Sequence, residues 1–113
     1  RDRNRGNIEA AQSESIAAES GLQIAQRDAN RARYDAQMLL GAAEVRYDAL
    51  AGPGIAQAEE ALRLARIGYN AGKFSMLELL DAQNALTTAK LNLIQARLDR
   101  ANALAALIRA NAQ

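Results

Sequence analysis

The stretch Gly68-Tyr69-Asn70-Ala71-Gly72-Lys73-Phe74-Ser75-Met76-Leu77-Glu78 lies between two long helix-forming segments and decides the fold. Asn70 and Gly72 are residue types that tolerate the left-handed backbone angles found at helix C-termini. Ser75 and Glu78 have the spacing of a capping box, the reciprocal hydrogen-bonding motif that opens a helix. The sequence therefore predicts a turn over residues 70–74 and a new helix over about 75–111.

Before this turn, residues 7–51 are predicted to form one long helix, since they include no proline and many strong helix formers. Apolar residues recur at alternating intervals of three and four from Ile8, and ten of the next twelve such positions are apolar. These twelve positions are Ala11, Ser15, Ala18, Leu22, Ala25, Ala29, Ala32, Ala36, Leu39, Ala43, Arg46 and Leu50. A pattern sustained over this length is typical of a coiled-coil seam.

The run Ala51-Gly52-Pro53-Gly54 interrupts the pattern, and either a kink or a full break is expected there. The step from Leu50 to Ile55 is five residues, so the register of the seam slips at this point. The pattern then resumes over a helix of about residues 55–69, at Ile55, Ala58, Leu62, Ala65 and Tyr69. Residues 1–113 are thus predicted to be one all-α segment, a long antiparallel helical hairpin of coiled-coil type.

The last helix has two lines of mostly apolar residues. The first seam is Leu79, Ala82, Leu86, Ala89, Leu93, Ala96, Arg100, Ala103, Leu107 and Ala110. The second seam is Leu77, Leu80, Asn84, Thr87, Leu91, Ile94, Leu98, Ala101, Ala105 and Ile108. At about 100° per residue their centres lie roughly 150° apart on the helix. Two separated seams require a neighbour on each side, and repeating that arrangement gives a sheet of helices that can close into a cylinder.

The first helix has a weaker second face, which Arg27 and Arg31 interrupt. Its apolar members are Ala10, Ala17, Ile24, Tyr34, Met38 and Val45. A four-helix bundle made by pairing two hairpins would also widen the apolar face of each helix. The pattern alone leaves the bundle and the cylinder both open.

Composition excludes several classes of function. The 113 residues include no cysteine and no histidine, which rules out disulfides, the usual zinc clusters and histidine general bases. The net charge of +1 gives no basic footprint for nucleic acid. No run approaches the roughly 20 apolar residues of a membrane-spanning helix. We therefore expect neither an enzyme nor a cofactor or metal site. Because the chain begins at Arg1 and not at methionine, we expect a segment of a larger protein.

Two motifs resemble the outer-membrane efflux proteins, the TolC-like channels. Asp2-Arg3-Asn4-Arg5-Gly6-Asn7-Ile8 is similar to the start of the long helix in the second repeat of that family. Residues 68–83 are similar to its helical tip and the beginning of its return helix. The Gly-Lys-Phe-Ser sequence at residues 72–75 is closest to the heavy-metal cation-efflux branch. The resemblance covers essentially the whole chain, although the family's membrane strands, first hairpin and other repeat are missing from it.

The resemblance implies a periplasmic tunnel segment of a homotrimeric outer-membrane channel that exports heavy-metal cations. Three chains would each contribute four helical strands to a twelve-helix tunnel. The partners implied are a periplasmic adaptor protein and an inner-membrane pump of the RND type. The tip residues Ala71, Gly72, Lys73, Phe74 and Ser75 would dock the adaptor. Without the resemblance they are a plain helix–turn–helix connection, with Phe74 either exposed or packed near Glu78 and Leu79.

Further site residues follow from the same resemblance. Glu78 and Asp81 match acidic positions that form a charged ring at the pore entrance. The helix dipole also stabilises both carboxylates near the helix N-terminus. Glu78 is in addition part of the capping box, and Asp81 is not. Tyr69 matches a tyrosine that helps hold the tip closed, or it is an ordinary packing residue.

Arg100 falls on an apolar seam, where it would extend to solvent or pair with an acid of the neighbouring helix.

The main alternative function is a periplasmic adaptor or other scaffolding hairpin that binds a partner through the same seams. An amphipathic helix lying on a membrane surface is disfavoured, because the seams are narrow and rich in alanine.

Overall fold

The protein is an elongated all-α hairpin in a computed structural model that describes residues 2–112. Helix α1 covers Asp2–Ala49, a π-helical segment covers Leu50–Gly54, and helix α2 covers Ile55–Asn70. Helix α3, Met76–Asn111, returns along both of them. The molecule measures 103 × 20 × 14 Å, so it is a rod two helices wide. Helix α1 begins at Asp2, earlier than the position near residue 7 expected from the sequence.

The first seam of α3 lies against the other two helices along its whole length. All ten of its positions are buried or half-buried, and Ala96 and Ala110 are the most covered. On the two helices that face this seam, the buried residues are Ala36 of α1 and Leu62 and Ala65 of α2. Four of the five buried hydrophobic residues within residues 2–112 are alanines, whose small side chains allow two helix backbones to approach closely. The predicted first seam of α3 is confirmed.

Over residues 29–50, about half of the positions predicted for the α1 seam are covered. Ala29, Ala36, Ala43 and Leu50 are covered as expected. Between them the covered residues are Arg33, Leu40 and Tyr47, and not the predicted Ala32, Leu39 and Arg46. The face that α1 presents to α3 is therefore rotated relative to the predicted face. Every second position is shifted by one residue, or about 100°, and the others are unchanged, so the mean rotation is about half of that angle. The rotation brings the larger side chains Leu40 and Tyr47 into the gap beside α3.

Residues 2–28 of α1 have no covering helix. The predicted seam members in this region, from Ile8 to Ala25, are all exposed. Helix α3 has 36 residues, so it is about 54 Å long at 1.5 Å per residue. It therefore accompanies about half of the 103 Å rod.

The π-helical segment carries the chain through Pro53 without interrupting the helix. The N–H of Ile55 donates to the carbonyl of Leu50, five residues earlier, and also to that of Gly52. One extra residue in the turn accounts for the five-residue step in the apolar pattern. Proline has no N–H, and its ring clashes with the carbonyl four residues earlier in an α-helix, so the wider turn relieves both problems. The segment is thus a π-bulge within a continuous helix, without the full break that was one of the two expectations.

Gly54 contributes to this turn by leaving room for a carbonyl. A Cβ added at Gly54 would lie 3.1 Å from the carbonyl oxygen of Ala49. That distance is tighter than ordinary carbon–oxygen packing, so a side chain here would press on the widened turn. Glycine at this position therefore leaves space for the widened turn that accommodates Pro53.

Polar side chains join α1 to α3 about one turn before the π-helical segment. The guanidinium of Arg100 lies 3.8 Å from the centroid of the Tyr47 ring, within cation–π range. Arg46 Nη1 lies 3.8 Å from Asp99 Oδ2, and Gln95 Nε2 donates to Asp99 Oδ1 at 2.9 Å. Arg100 therefore stacks on an aromatic ring and does not pair with an acid. Asp99, which is half-buried, pairs with the neighbouring helix instead.

Both halves of the hairpin expose apolar side chains on the side facing away from the shared core. Tyr34 and Met38 lie two residues before and after the buried Ala36, and they are 60% and 54% exposed. Ile94 and Leu98 flank the buried Ala96 in the same way, at 61% and 52% exposed. A step of two residues is about 200°, so these side chains point away from the partner helix. The second seam of α3 and the second face of α1 thus form opposite apolar edges of the hairpin.

Deleting Pro53 should convert the π-helical segment into ordinary α-helix and preserve the hairpin. Pro53 is both the extra residue of the turn and the residue that lacks an N–H. Its deletion therefore lets an ordinary α-helix form, and the helices on either side keep their seams directed at α3. The free energy of unfolding, from urea denaturation followed by circular dichroism, should stay within about 1 kcal/mol of the parent value or rise.

Deletion of the exposed Thr88 from α3 is the matched control. It rotates the remainder of α3 by about 100° and turns half of the first seam away from its partner, which should cost roughly 2 kcal/mol or more. Equal losses from the two deletions would contradict the interpretation of Leu50–Gly54 as a one-residue insertion.

Candidate functional site at the hairpin tip

The turn between α2 and α3 is a fully hydrogen-bonded Schellman motif. Lys73 N donates to Gly68 O at 2.8 Å, and Gly72 N donates to Tyr69 O at 3.0 Å. These bonds satisfy carbonyls at the end of α2 that have no partner within the helix. Gly72 has a φ of 74°, and it is the one residue with positive φ in the part of the chain that the structure describes. The backbone role predicted for Gly72 is therefore confirmed.

Helix α3 begins with the predicted capping box. The Ser75 side chain accepts a hydrogen bond from Glu78 N at 3.1 Å, and Ser75 N donates to Glu78 Oε2 at 2.8 Å. The Glu78 carboxylate is therefore held at the first turn of α3, where the helix dipole also favours a negative charge. Asp81, three residues later, is exposed and lies outside this capping box. The two acids share one face of α3 close to the tip.

Phe74 packs across the turn onto the other helix. A Cβ built on Gly68 would lie only 2.3 Å from Phe74 Cδ2, so the ring occupies the space that a side chain at Gly68 would need. The aromatic ring is 45% exposed, which means that one side is covered and the other faces solvent. Of the two alternatives expected for Phe74, an exposed aromatic or packing near Glu78 and Leu79, the ring fits the first, and it also contacts the end of α2 at Gly68.

Gly68 is the residue of the tip that the sequence did not single out. It is the last buried position of α2, whereas Tyr69, predicted for that place, is 37% exposed. A glycine three residues after Ala65 continues the spacing of the seam, and glycine inside a helix costs about 1 kcal/mol relative to alanine. That unfavourable choice was the signal in the sequence, but only the turn geometry identifies Phe74 as its cause.

The residues predicted for docking lie together at one end of the rod. Ala71, Gly72, Lys73 and Ser75 are all exposed and fall within the ordered turn. Tyr69 borders the turn at the end of α2 with its side chain partly accessible. The structure therefore presents a compact tip of defined backbone geometry, with the two acids of α3 immediately behind it.

An exposed ion pair lies two turns from the tip on α2. Arg63 Nε donates to Glu60 Oε2 at 2.9 Å, and Arg63 Nη2 donates to Glu60 Oε1 at 2.6 Å. These hydrogen bonds hold the pKa of Glu60 below its ordinary value and raise the pKa of Arg63. Since both residues belong to one helix and face solvent, the pair supports α2 and takes no part in the tip.

The remaining surface has the character of a packing surface. A shallow groove of about 450 Å³ between α1 and α3 is lined mainly by alanines, together with Arg46 and Asp99. Within residues 2–112, no buried polar side chain and no metal-binding cluster of Asp, Glu, Cys or His occurs. No described helix is both long enough and apolar enough to cross a bilayer.

A family model described as "Outer membrane efflux protein" matches residues 1–113. No curated protein and no solved structure gave a significant match. Because the family match spans the whole chain, the chain belongs to the outer membrane efflux protein family, whose members are channel proteins and not enzymes.

Proposed function

We propose that this member of the outer membrane efflux protein family forms part of the wall of a periplasmic tunnel in an efflux channel. The observation that carries the proposal is the pair of opposite apolar edges on the hairpin. The α3 edge exposes leucine and isoleucine side chains, and the α1 edge exposes residues such as Tyr34 and Met38; water solvates these side chains poorly. A unit with two such edges adds neighbours on both sides, and a closed ring of such units is a tube.

The exposed surface supports this assembly. The described chain exposes 8640 Å², whereas a compact monomer of 12.1 kDa exposes about 6000 Å². The excess surface includes the second seam of α3, with Leu77 68% exposed and Ile108 61% exposed. An isolated hairpin leaves these side chains in water, while lateral neighbours would bury them.

The position of the edges favours a sheet of helices over a four-helix bundle. In a bundle, each helix needs its additional apolar surface beside the first seam, so that both partners can face one central core. Here the additional apolar residues lie about 200° from the buried positions on α1 and on α3. A neighbour on each flank covers that arrangement, and a single opposing hairpin does not.

The tip is proposed to dock a periplasmic adaptor protein through Ala71, Gly72, Lys73, Phe74 and Ser75. A docking surface benefits from a conformation that exists before binding, because less ordering is required on association. The Schellman motif and the capping box supply that order on both sides of Gly72. Tyr69, at the border of the turn, is proposed to contribute to contacts that keep neighbouring tips together.

The partners and cargo are proposals from the resemblance to the heavy-metal cation-efflux branch. They are a homotrimeric channel, an inner-membrane pump of the RND type and heavy-metal cations as the exported substrate. The channel would lie in the bacterial outer membrane with this segment in the periplasm. The alternative of an adaptor or scaffolding hairpin is less favoured, because the efflux-channel family model accounts for every residue of the chain.

Substitution of the α3 edge tests the tunnel proposal. Ile94→Glu combined with Leu98→Glu should prevent assembly of the full-length channel, because two charges would be placed against a neighbouring helix. The same pair should leave the helicity of the isolated hairpin unchanged, since both side chains are exposed there. Assembly is measured by cross-linking in the membrane, and helicity by circular dichroism.

Asn92→Glu is the matched control, because it adds a charge at an exposed polar position outside both seams. It should assemble normally. Normal assembly of the Ile94→Glu, Leu98→Glu variant would contradict a tunnel built through this edge.

We also propose that Asp81 and Glu78 line the pore entrance, where repetition by symmetry concentrates negative charge and favours cations. Asp81→Asn should lower the cation-to-anion permeability ratio of the channel by roughly twofold or more, measured in planar bilayers. Glu78→Gln should act in the same direction without loss of the helix cap, since the glutamine oxygen still accepts from Ser75 N. An unchanged ratio in both variants would exclude the two acids from the pore entrance.

A further inference from the structure

Gly68 holds the turn in two ways. Its carbonyl accepts hydrogen bonds from both Lys73 N, at 2.8 Å, and Phe74 N, at 3.1 Å. Its Cα, which has no side chain, forms the surface on which the Phe74 ring rests. One residue of α2 therefore fixes both the backbone and the side chain on the far side of the tip.

The contact with the ring leaves no room for a methyl group. A Cβ at Gly68 would lie 2.3 Å from Phe74 Cδ2, 2.7 Å from Cε2 and 2.8 Å from Cγ. Cγ is the ring atom attached to the Phe74 Cβ, so the ring could not escape by moving its far end alone. The whole side chain would have to leave, or the backbone beside Lys73 would have to shift.

The other helical glycines of regular α-helix face no such neighbour. A Cβ added at Gly6, Gly21 or Gly41 would meet nothing within 4 Å. Alanine at those positions would remove a flexible residue from a helix interior and gain about 1 kcal/mol. Gly68 therefore differs from them in having a steric reason to be glycine.

We propose that Gly68 and Phe74 form a steric lock that sets the orientation of Ala71, Gly72 and Lys73 for docking. The inference rests on the proposed function of the tip and adds the positioning residues behind it. Neither the carbonyl of Gly68 nor the covered face of Phe74 needs to touch the adaptor. They act by restricting the turn to one shape, so that binding requires no further ordering.

The test is a double-mutant cycle in the full-length channel, with affinity for the purified adaptor as the measurement. Gly68→Ala should weaken binding on the order of tenfold, because the ring and the turn are displaced together. Phe74→Ala should have a smaller effect, since it removes the ring without introducing a clash. The double variant should bind like Phe74→Ala, because the added methyl then meets empty space.

Gly41→Ala is the matched control and should bind like the parent. Amide hydrogen exchange supplies a readout that does not involve the adaptor: Gly68→Ala should speed exchange at Lys73 and Phe74, and Gly41→Ala should not. Trimer assembly should be unaffected in every variant.

Ala71→Asp, which changes the exposed apex and leaves the lock intact, separates the two proposals. Loss of binding in Ala71→Asp together with normal binding in Gly68→Ala would overturn the lock while docking stands. Normal binding in both would overturn docking at this tip, and the proposed role of the lock with it. A double variant whose loss of binding equals or exceeds the sum of the two single losses would also overturn the lock, because the clash with the ring would not be the cause.

Discussion

Close packing of α3 against the continuous rod of α1 and α2 is the contact on which every other feature depends. The buried apolar residues along it are Ala36, Leu62, Ala65, Ala96 and Ala110, and no large side chain is fully enclosed. Each helical turn of this thin core buries little apolar surface and so contributes little stabilisation. The hairpin is stabilised by the sum of these small contributions over many turns. The π-helical segment matters for the same reason. If the extra residue near Pro53 were not taken up by the wider π-helical turn, half of the rod would present the wrong face to α3.

Alanine in the core also explains why the outer edges are apolar. A pair of helices only 14 to 20 Å across has little interior in which large side chains can be buried. Many of the larger apolar residues, such as Tyr34, Ile94 and Leu98, therefore lie exposed on the flanks, where another helix could cover them. In the proposed tunnel the hairpin is a repeating unit whose cohesion would increase with each neighbour, as in repeat architectures. Membership of an efflux-channel family gives that geometry a biological setting.

The sequence predicted α3 better than α1 for a physical reason. In α3, leucine and alanine alternate along the first seam, and the second seam contains most of the other leucines, so the period is unambiguous. In α1, Leu39 and Leu40 are adjacent, and alanines surround the helix, so two rotations fit equally well. In the observed rotation the Tyr47 ring stacks with the guanidinium of Arg100. That contact joins distant parts of the chain, so the sequence of α1 alone does not reveal it. Gly68 and Phe74 were missed because their relationship exists only once the turn is built.

The central claim is that the second seam of α3 is covered by a neighbouring helix in the assembled protein. The chain contains no cysteine, so single cysteines introduced at Ile94 and at Asn92 can be compared by maleimide labelling in membranes that contain the channel. The account predicts that position 94 is protected in the assembled channel and becomes reactive when the channel is dissociated, whereas position 92 is reactive throughout. Equal labelling of the two positions in the assembled channel would contradict it.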